Sequence, residues 1–165
     1  MNRPFFRISG ALVLSLLLIV PPVQAENSEE ACFRSRVNAE RRAVGHRELI
    51  DNPKVDEIAR RHSRQMAADQ TIYHNNDLAG EYNWIGGYEY GGENVGMGPD
   101  CDSIHQGFMA SSGHRDNILD PDYTQIGVGV TVRDDTLYVT TDFFTPKHRS
   151  VRPPTVKPRA SCSSG

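Results

Sequence analysis

Three short segments, far apart in the chain, carry the residues best suited to chemistry. They are residues 73–75, 92–94 and 113–115, and each sets a histidine or a glutamate beside a glycine or an asparagine. Such neighbours are typical of turns and pocket walls rather than of helix interiors. Two imidazoles and one carboxylate that converge on a cleft can bind a divalent metal, transfer a proton or hold a polar ligand.

His74, Glu93 and His114 are a suitable ligand set for zinc, because imidazole nitrogens and carboxylate oxygens are among its usual ligands. No two of them have the helical spacing that makes the HExxH motif specific. The alternative is structural, with Glu93 accepting hydrogen bonds from one or both histidines and fixing the loops. We therefore expect no required cofactor and zinc only as an opportunistic ligand.

Two serines, Ser111 and Ser112, precede His114 closely enough to suggest a hydrolase. A nucleophilic serine needs a base within hydrogen-bond reach and an oxyanion hole. The chain has no Gly-x-Ser-x-Gly elbow, and serines at helix ends more often satisfy backbone groups. A metal-dependent peptidase or esterase that uses the same cleft is the alternative to a binding function.

Aromatic residues crowd the region around the first two segments, and this favours ligand binding. They are Tyr73, Tyr82, Trp84, Tyr88 and Tyr90. Aromatic side chains with polar tips bind lipids, sugars and protein surfaces well, although they also pack glycine-rich loops. We assign Trp84 and Tyr88 to ligand binding, with Asn94 and Ser111 beside the cleft.

The first 25 residues have the pattern of a secretory signal. Arg3 and Arg7 precede an apolar run over residues 10–20, and small residues allow cleavage after Ala25. Eleven helical residues span about 16 Å, well short of the ~30 Å hydrocarbon core of a bilayer. We expect an exported protein, secreted or periplasmic, with no membrane span in the mature chain.

Charge is unevenly distributed along the mature chain. Residues 26–146 carry 11 basic and 21 acidic side chains, a net charge of −10, whereas residues 147–165 carry five basic side chains and no acid. An acidic body argues against nucleic acid as the main ligand. The proline- and serine-rich basic tail predicts a segment without packed structure.

Three cysteines, Cys32, Cys101 and Cys162, leave at least one without an intramolecular partner. All three pairings are open. A bond between Cys32 and Cys101 would close a long loop and contribute about 4 kcal/mol in the chain-entropy model. The alternative is that Cys32 and Cys101 are buried thiols.

Hydrophobic periodicity predicts helices over residues 28–44, 53–69 and 101–112, with Asn52 and Asp100 capping the last two. Residues 72–98 are dense in glycine, so we expect only short helices or strands there. Strands are expected over residues 125–132 and 136–144, joined by a turn at Asp134 and Asp135. Helices followed by strands indicate an α+β fold with an antiparallel sheet.

Read in order, six segments of the chain resemble the CAP superfamily of cysteine-rich secretory proteins, antigen 5 and pathogenesis-related class 1 proteins. They are residues 37–42, 59–66, 73–75, 92–95, 107–119 and 123–129. The similarity is to the exported bacterial branch and covers residues 30–145. It implies an αβα sandwich, with a small antiparallel sheet between helices, over residues 26–146.

The resemblance also implies a site. The cleft of the family is described as two histidines and two glutamates, and His74, Glu93 and His114 match three of them. The fourth group falls near Ser111, where this chain has no acid. CAP proteins are associated with lipid binding and cell-surface interactions, so the resemblance implies a monomer that binds an unknown lipid, glycan or envelope protein.

Overall fold

The computed structural model describes residues 28–148, and in this range it contains five helices and four strands. The helices are α1 (Ser28–Ala43), α2 (Pro53–Asp69), α3 (Leu78–Trp84), α4 (Cys101–Ala110) and α5 (Ser112–Leu119). The strands are β1 (Ile50–Asp51), β2 (Tyr88–Gly98), β3 (Gln125–Arg133) and β4 (Thr136–Pro146). The proposed signal segment and the tail from residue 149 lie outside the described range. Between residues 28 and 148, no helix is long and apolar enough to cross a bilayer.

The four strands form one sheet in the order β1-β3-β4-β2. Strands β3 and β4 make an antiparallel hairpin, and β2 pairs antiparallel with β4 at the sheet edge. Asp134 and Asp135 in the hairpin turn both have positive φ, at 49° and 56°, as a tight two-residue turn requires. The sheet is mixed rather than purely antiparallel, because the two-residue β1 runs parallel to β3.

Helices cover both faces of the sheet. On one face, α2 lies so close to β3 that a Cβ atom at Gly129 would fall 2.2 Å from the backbone nitrogen of Arg60. On the other face, Val128 of β3 packs in a cluster with Phe33 of α1 and Phe108 of α4. The αβα sandwich is therefore confirmed.

The predicted caps of α2 and α4 are also confirmed. The side chain of Asn52 accepts a hydrogen bond from the backbone N–H of Lys54 at 3.0 Å, and Pro53 occupies the first helical position. Asp100 accepts from the backbone N–H of Ser103 at 2.7 Å. These side-chain caps satisfy orphan donors at the helix starts, and they are local enough to be visible in the sequence.

Strand β2 runs through the segment for which only short regular pieces were expected. Its glycines are required by close packing on two sides: a Cβ at Gly91 would lie 2.7 Å from the ring of Tyr82, and one at Gly96 would lie 2.9 Å from the ring of Phe108. The glycine content of this segment thus reflects close packing of helices against an extended strand.

Helix α5 contains Gly113 and His114, so the expectation that this segment forms a turn was wrong. Ser111 separates α4 from α5 with an extended backbone, and its carbonyl accepts a hydrogen bond from the N–H of Arg115 at 2.9 Å. A helix tolerates Gly113 at a cost of about 1 kcal/mol relative to alanine. The third predicted helix therefore ends at Ala110 rather than at residue 112, and the unpredicted helix α5 follows it after Ser111.

Of the three cysteine pairings that the sequence leaves open, the structure has the bond between Cys32 and Cys101. It joins α1 to α4 across 69 residues of chain. Arg41 makes a second long-range tie, because its buried guanidinium donates to the carbonyl oxygens of Ile118 at 2.9 Å and Asp120 at 2.7 Å. The disulfide therefore ties α1 to α4, and Arg41 ties α1 to the end of α5 and to the residue after it.

The contact between α2 and β3 gives the first prediction. We expect Gly129→Ala to lower the free energy of unfolding by about 1–3 kcal/mol or more, since overpacking forces backbone shifts. Urea denaturation followed by circular dichroism measures this.

Gly107→Ala is the matched control, because Gly107 lies in α4 with nothing within 4 Å of the added atom. It should leave stability unchanged or raise it by up to about 1 kcal/mol. Equal effects of the two substitutions would contradict the packing described for α2.

Candidate functional site

Glu93 lies on β2 with only 7% of its surface exposed, and its carboxylate connects the strand to the preceding loop. Its Oε1 lies 2.7 Å from Nδ1 of His74 and accepts a hydrogen bond from the backbone N–H of Asn75 at 2.9 Å. An ionised carboxylate can only accept, so His74 carries a proton on Nδ1. The first two sequence segments are thus brought into direct contact.

The second carboxylate oxygen of Glu93, Oε2, is buried and has no hydrogen-bond partner among the described residues. The nearest imidazole nitrogen is Nε2 of His62, at 3.8 Å. That nitrogen also lies 2.7 Å from the carbonyl oxygen of Tyr73. His62 therefore borders the site from α2, where its helical spacing with the buried Ile58 and Met66 suggests a core position rather than a site residue.

Asp142 is a second acid that sequence reasoning missed. It stands opposite Glu93 in the pairing of β2 with β4, it is fully buried, and neither of its carboxylate oxygens has a hydrogen-bond partner in residues 28–148. Burial, followed by the negative charge of Glu93, raises the pKa of Asp142 well above its ordinary value. The signal available in the sequence is that Asp142 is the sole charged residue between Thr136 and Pro146.

Asn94 leaves β2 on the opposite face from Glu93 and contacts α5. Its side-chain amide donates to the carbonyl oxygen of His114 at 3.0 Å and accepts from the amide of Asn117 at 2.9 Å. The same Asn117 nitrogen donates to the carbonyl oxygen of Glu93 at 3.1 Å. Asn94 and Asn117 therefore hold the third sequence segment against the edge strand.

His114 packs its ring against Phe108, with the ring centroids 4.9 Å apart. Burial lowers the pKa of His114 below its ordinary value, and the positive charge of nearby His74 lowers it further. Neutral imidazole is the form that binds metals or accepts a proton. His114 and His74 are thus close enough to interact electrostatically.

The donor atoms of His74, Glu93 and His114 do not all lie within 4.8 Å of one another; in residues 28–148 only Cys32, Cys101 and Asp102 form such a group. Glu93 and Asn94 project from opposite faces of β2, and the Asn94 side chain is the one that contacts α5, at the carbonyl oxygen of His114. As placed, the site offers a cation two adjacent donors rather than three. The zinc site stays a prediction.

Trp84 and Tyr88, the two aromatic residues assigned to ligand binding, have different surroundings. Trp84 ends α3 and is 88% exposed. Tyr88 packs edge-on against the buried ring of Tyr82, with centroids 5.4 Å apart. Ser111, by contrast, connects α4 and α5 through its backbone N–H, which donates to the carbonyl oxygens of Gly107 and Phe108 at 3.2 Å.

A groove of about 850 Å³ lies between α2 and α3, next to Trp84. It is lined by Pro53, Lys54, Glu57, Ile58, Arg61, Asp77, Gly80, Glu81, Trp84 and Ile85. The groove is connected to the cleft by one residue, because Asn75 binds Glu93 through its backbone and the groove residue Glu81 through its side chain, at 3.2 Å.

The electrostatic contact between the two histidines gives the second prediction. Removing the charge with His74→Gln should raise the pKa of His114, which should still stay below its ordinary value because burial remains. Nuclear magnetic resonance titration of the His114 ring protons measures this directly. The pKa of His114 is lower in the folded protein than in the unfolded chain, so its ring resists protonation when the protein is folded. The stability linked to this ring is fully present above about pH 6.5 and is lost as the pH falls through the folded pKa.

His46→Gln is the control, since His46 lines a separate pocket with Arg47 and Pro121. It should leave the titration of His114 unchanged. A His114 pKa that is indifferent to His74→Gln would show that the two imidazoles do not share a cleft.

Comparison with known proteins agrees with this architecture. The model of the cysteine-rich secretory protein family (CAP) matches residues 34–145. The protein YkwD of Bacillus subtilis (strain 168) is 32% identical over 98 residues, which cover 56% of this chain and 38% of that protein. The chain thus spans well under half the length of this relative.

Two solved structures show the same fold. An extracellular protein containing a SCP domain from Bacillus anthracis str. Ames is 26% identical, with a TM-score of 0.63, over 74% of this chain and 42% of that chain. An outer surface protein from Borrelia burgdorferi is 14% identical, with a TM-score of 0.67, over 72% of this chain and 93% of that chain. The αβα sandwich agrees with this match, and the family model covers residues 34–145. The chain therefore belongs to the cysteine-rich secretory protein (CAP) family.

Proposed function

We propose that the protein is an exported ligand-binding module whose groove between α2 and α3 takes a small amphiphile, a single apolar chain with a charged head. The observation that carries this proposal is Trp84, which is 88% exposed at the rim of a groove of about 850 Å³. Binding sites of this size are mostly apolar, with a few polar groups that orient the ligand.

The apolar part of the groove is formed by residues from the two helices and the turn after α3. Ile58 is buried on α2 and lines the groove together with the partly buried Ile85, whereas Trp84 lines the groove with its side chain exposed to solvent. Covering an exposed indole with an acyl chain removes apolar area from water on both partners, at about 25 cal/mol per Å². An acyl chain therefore suits the shape and chemistry of the groove.

The rim of the groove is charged. Lys54 and Arg61 contribute positive charge, and Arg61 pairs with Glu81 at 2.6 Å while its side chain remains half exposed. Glu57 and Asp77 contribute negative charge. A mixed rim of this kind favours a ligand with a compact charged head over a polyanion, in keeping with the acidic body of the protein.

The location of the relatives supports export. The solved Bacillus anthracis relative is an extracellular protein and the Borrelia burgdorferi structure is an outer surface protein. The pattern of residues 1–25 predicts the same compartment for this chain. A lipid-like ligand is available at a cell envelope, and the proposed function therefore agrees with the proposed location.

A metal-dependent hydrolase is the second candidate, and one observation favours it. Glu93 Oε2 is buried without a hydrogen-bond partner among the described residues, which is an arrangement that a cation could satisfy. His74 and Glu93 would hold the metal, and a bound divalent ion would supply Lewis acidity to a carbonyl or water. His114, held neutral by burial, would accept a proton at the other side of the cleft.

The groove gives the third prediction. Trp84 is the sole tryptophan of the chain, so its fluorescence reports on the groove alone. Titration with oleate below its critical micelle concentration should give a saturable blue shift, because the indole leaves water. Isothermal titration calorimetry should show that Trp84→Ala weakens binding about tenfold or more, since burial of a large side chain contributes about 1.5–3 kcal/mol.

Val132→Ala is the matched control, because Val132 is also exposed, at 59%, but lies at the far end of β3. It should bind oleate as the parent protein does, and a chelator should change nothing. Lack of saturable binding, or equal affinities of the two variants for oleate, would refute ligand binding in the groove. Zinc-dependent ester or peptide hydrolysis that Glu93→Gln abolishes would favour the hydrolase instead.

A further inference from the structure

A second pocket, of about 740 Å³, adjoins the groove between α2 and α3. Pro53, Lys54 and Ile85 line both cavities. The second pocket continues from these shared residues to Gln125 at the start of β3 and to the segment after β4. A ligand whose chain lies in the groove can therefore extend into the second pocket along the protein surface.

The two cavities differ in charge. Three acidic side chains line the groove, whereas none of the described residues that line the second pocket is acidic. Its charged or titratable side chains are those of Lys54, Lys147 and His148, and we name it the basic pocket after them. Residues 26–146 carry a net charge of −10, so a pocket without an acid stands out on this surface.

The fold positions Lys147 at the basic pocket. Its backbone N–H donates a hydrogen bond to the carbonyl oxygen of Gly87 at 3.2 Å. A Cβ atom added at Gly87 would lie 3.7 Å from Cβ and 3.8 Å from Cδ of Lys147, so the aliphatic stem of the lysine lies along the turn that follows α3. Gly87 has a φ of 86°, a conformation that favours glycine. The turn that contributes Ile85 to both cavities thus also holds a cation beside them.

The lysines of the basic pocket are available to a ligand. Neither Lys54 nor Lys147 forms an ion pair with an acid of residues 28–148. Two acids of the groove, by contrast, already have arginine partners: Arg61 pairs with Glu81 at 2.6 Å and Arg64 pairs with Glu57 at 3.2 Å. An anion would thus meet cations that have no acidic partner, whereas a cationic group would compete with existing ion pairs.

Neutral hydrogen-bond donors accompany the lysines. The Oε1 atom of Gln125 accepts a hydrogen bond from the side-chain amide of Asn52 at 2.6 Å, so the N–H groups of the Gln125 amide are the part that can donate to a ligand. Carboxylate and phosphate oxygens accept hydrogen bonds, and charged donors such as the lysine ammonium group bind them most strongly. The donors of the basic pocket therefore suit an anion.

We propose that the basic pocket binds the anionic head group, a carboxylate or a phosphate, of the amphiphile whose apolar chain lies in the groove. This inference rests on the function proposed for the groove, and it adds the sign of the head group and the place where it binds. Lys54, which lines both cavities, contacts the ligand where chain and head meet, and Lys147 contacts the head from the end of β4.

Three amphiphiles with the same chain and different heads test the proposal. They are dodecanoate, dodecyl phosphate and dodecyltrimethylammonium, each used below its critical micelle concentration. Trp84 fluorescence reports on the chain in the groove, and isothermal titration calorimetry gives the affinities. We expect both anions to bind about tenfold or more tightly than the cation, because only they gain charged hydrogen bonds in the basic pocket. Added salt should weaken the binding of the anions. The anion that binds more tightly identifies the head as a carboxylate or a phosphate.

Lys147→Gln is the main variant, and Arg36→Gln is its control. Arg36 is also exposed and positively charged, but it lies on α1, where it pairs with Asp102. Lys147→Gln should weaken anion binding about threefold to fivefold, the range for one partly exposed ion pair, and Lys54→Gln combined with it should weaken binding about tenfold or more. Arg36→Gln should leave the three affinities unchanged.

The outcomes separate the head-group site from the groove. Cation binding as tight as anion binding, or equal effects of Lys147→Gln and Arg36→Gln on the anions, would overturn the head-group site. If the Trp84 shift persisted in that case, ligand binding in the groove would stand without it. Absence of a Trp84 shift with all three amphiphiles would overturn both proposals.

Discussion

A buried carboxylate on the edge strand organises the cleft. Moving a charged group out of water is costly unless hydrogen bonds replace its hydration. Glu93 receives them at one oxygen, from His74 and from the backbone of Asn75, and this fixes the loop that follows α2. Through the side chain of Asn75, the same loop contacts Glu81 in the groove. One acid therefore fixes the loop that lies between the cleft and the groove.

A second buried acid, Asp142, adjoins Glu93, and protonation of Asp142 would let the fold bury both carboxyl groups. Asp142 faces Glu93 across two paired strands and is removed from water. Burial, followed by the negative charge of Glu93, raises the pKa of Asp142, which favours its protonated form over a second buried negative charge. Glu93 is the acid that has hydrogen-bond donors around it. We therefore expect a single negative charge in the cleft, on Glu93.

Local signals in the sequence were sufficient for part of the fold. Asn52 with Pro53 predicted the start of α2, and Asp134 with Asp135 predicted the hairpin, because caps and tight turns depend on a few adjacent residues. Strand β2 and helix α5 were missed, since the glycines that suggested loops serve contacts with residues far away in sequence. The same limit applies to the site. Glycine or asparagine neighbours pointed to His74, Glu93 and His114, whereas His62 and Asp142 lie in regular elements whose patterns indicate core positions. The pairing of β2 with β4 brings Asp142 to Glu93, and the packing of α2 brings His62 there.

The protonation state of Asp142 is the most direct test of this account. The ¹³C chemical shift of its carboxyl carbon, followed by nuclear magnetic resonance across the pH range, distinguishes the acid from the carboxylate. We expect the protonated form at neutral pH, and we expect Glu93→Gln to lower the pKa of Asp142 because a neighbouring negative charge is removed. An ionised Asp142 at neutral pH, with a titration that Glu93→Gln does not alter, would contradict the claim that a single charge on Glu93 organises the cleft.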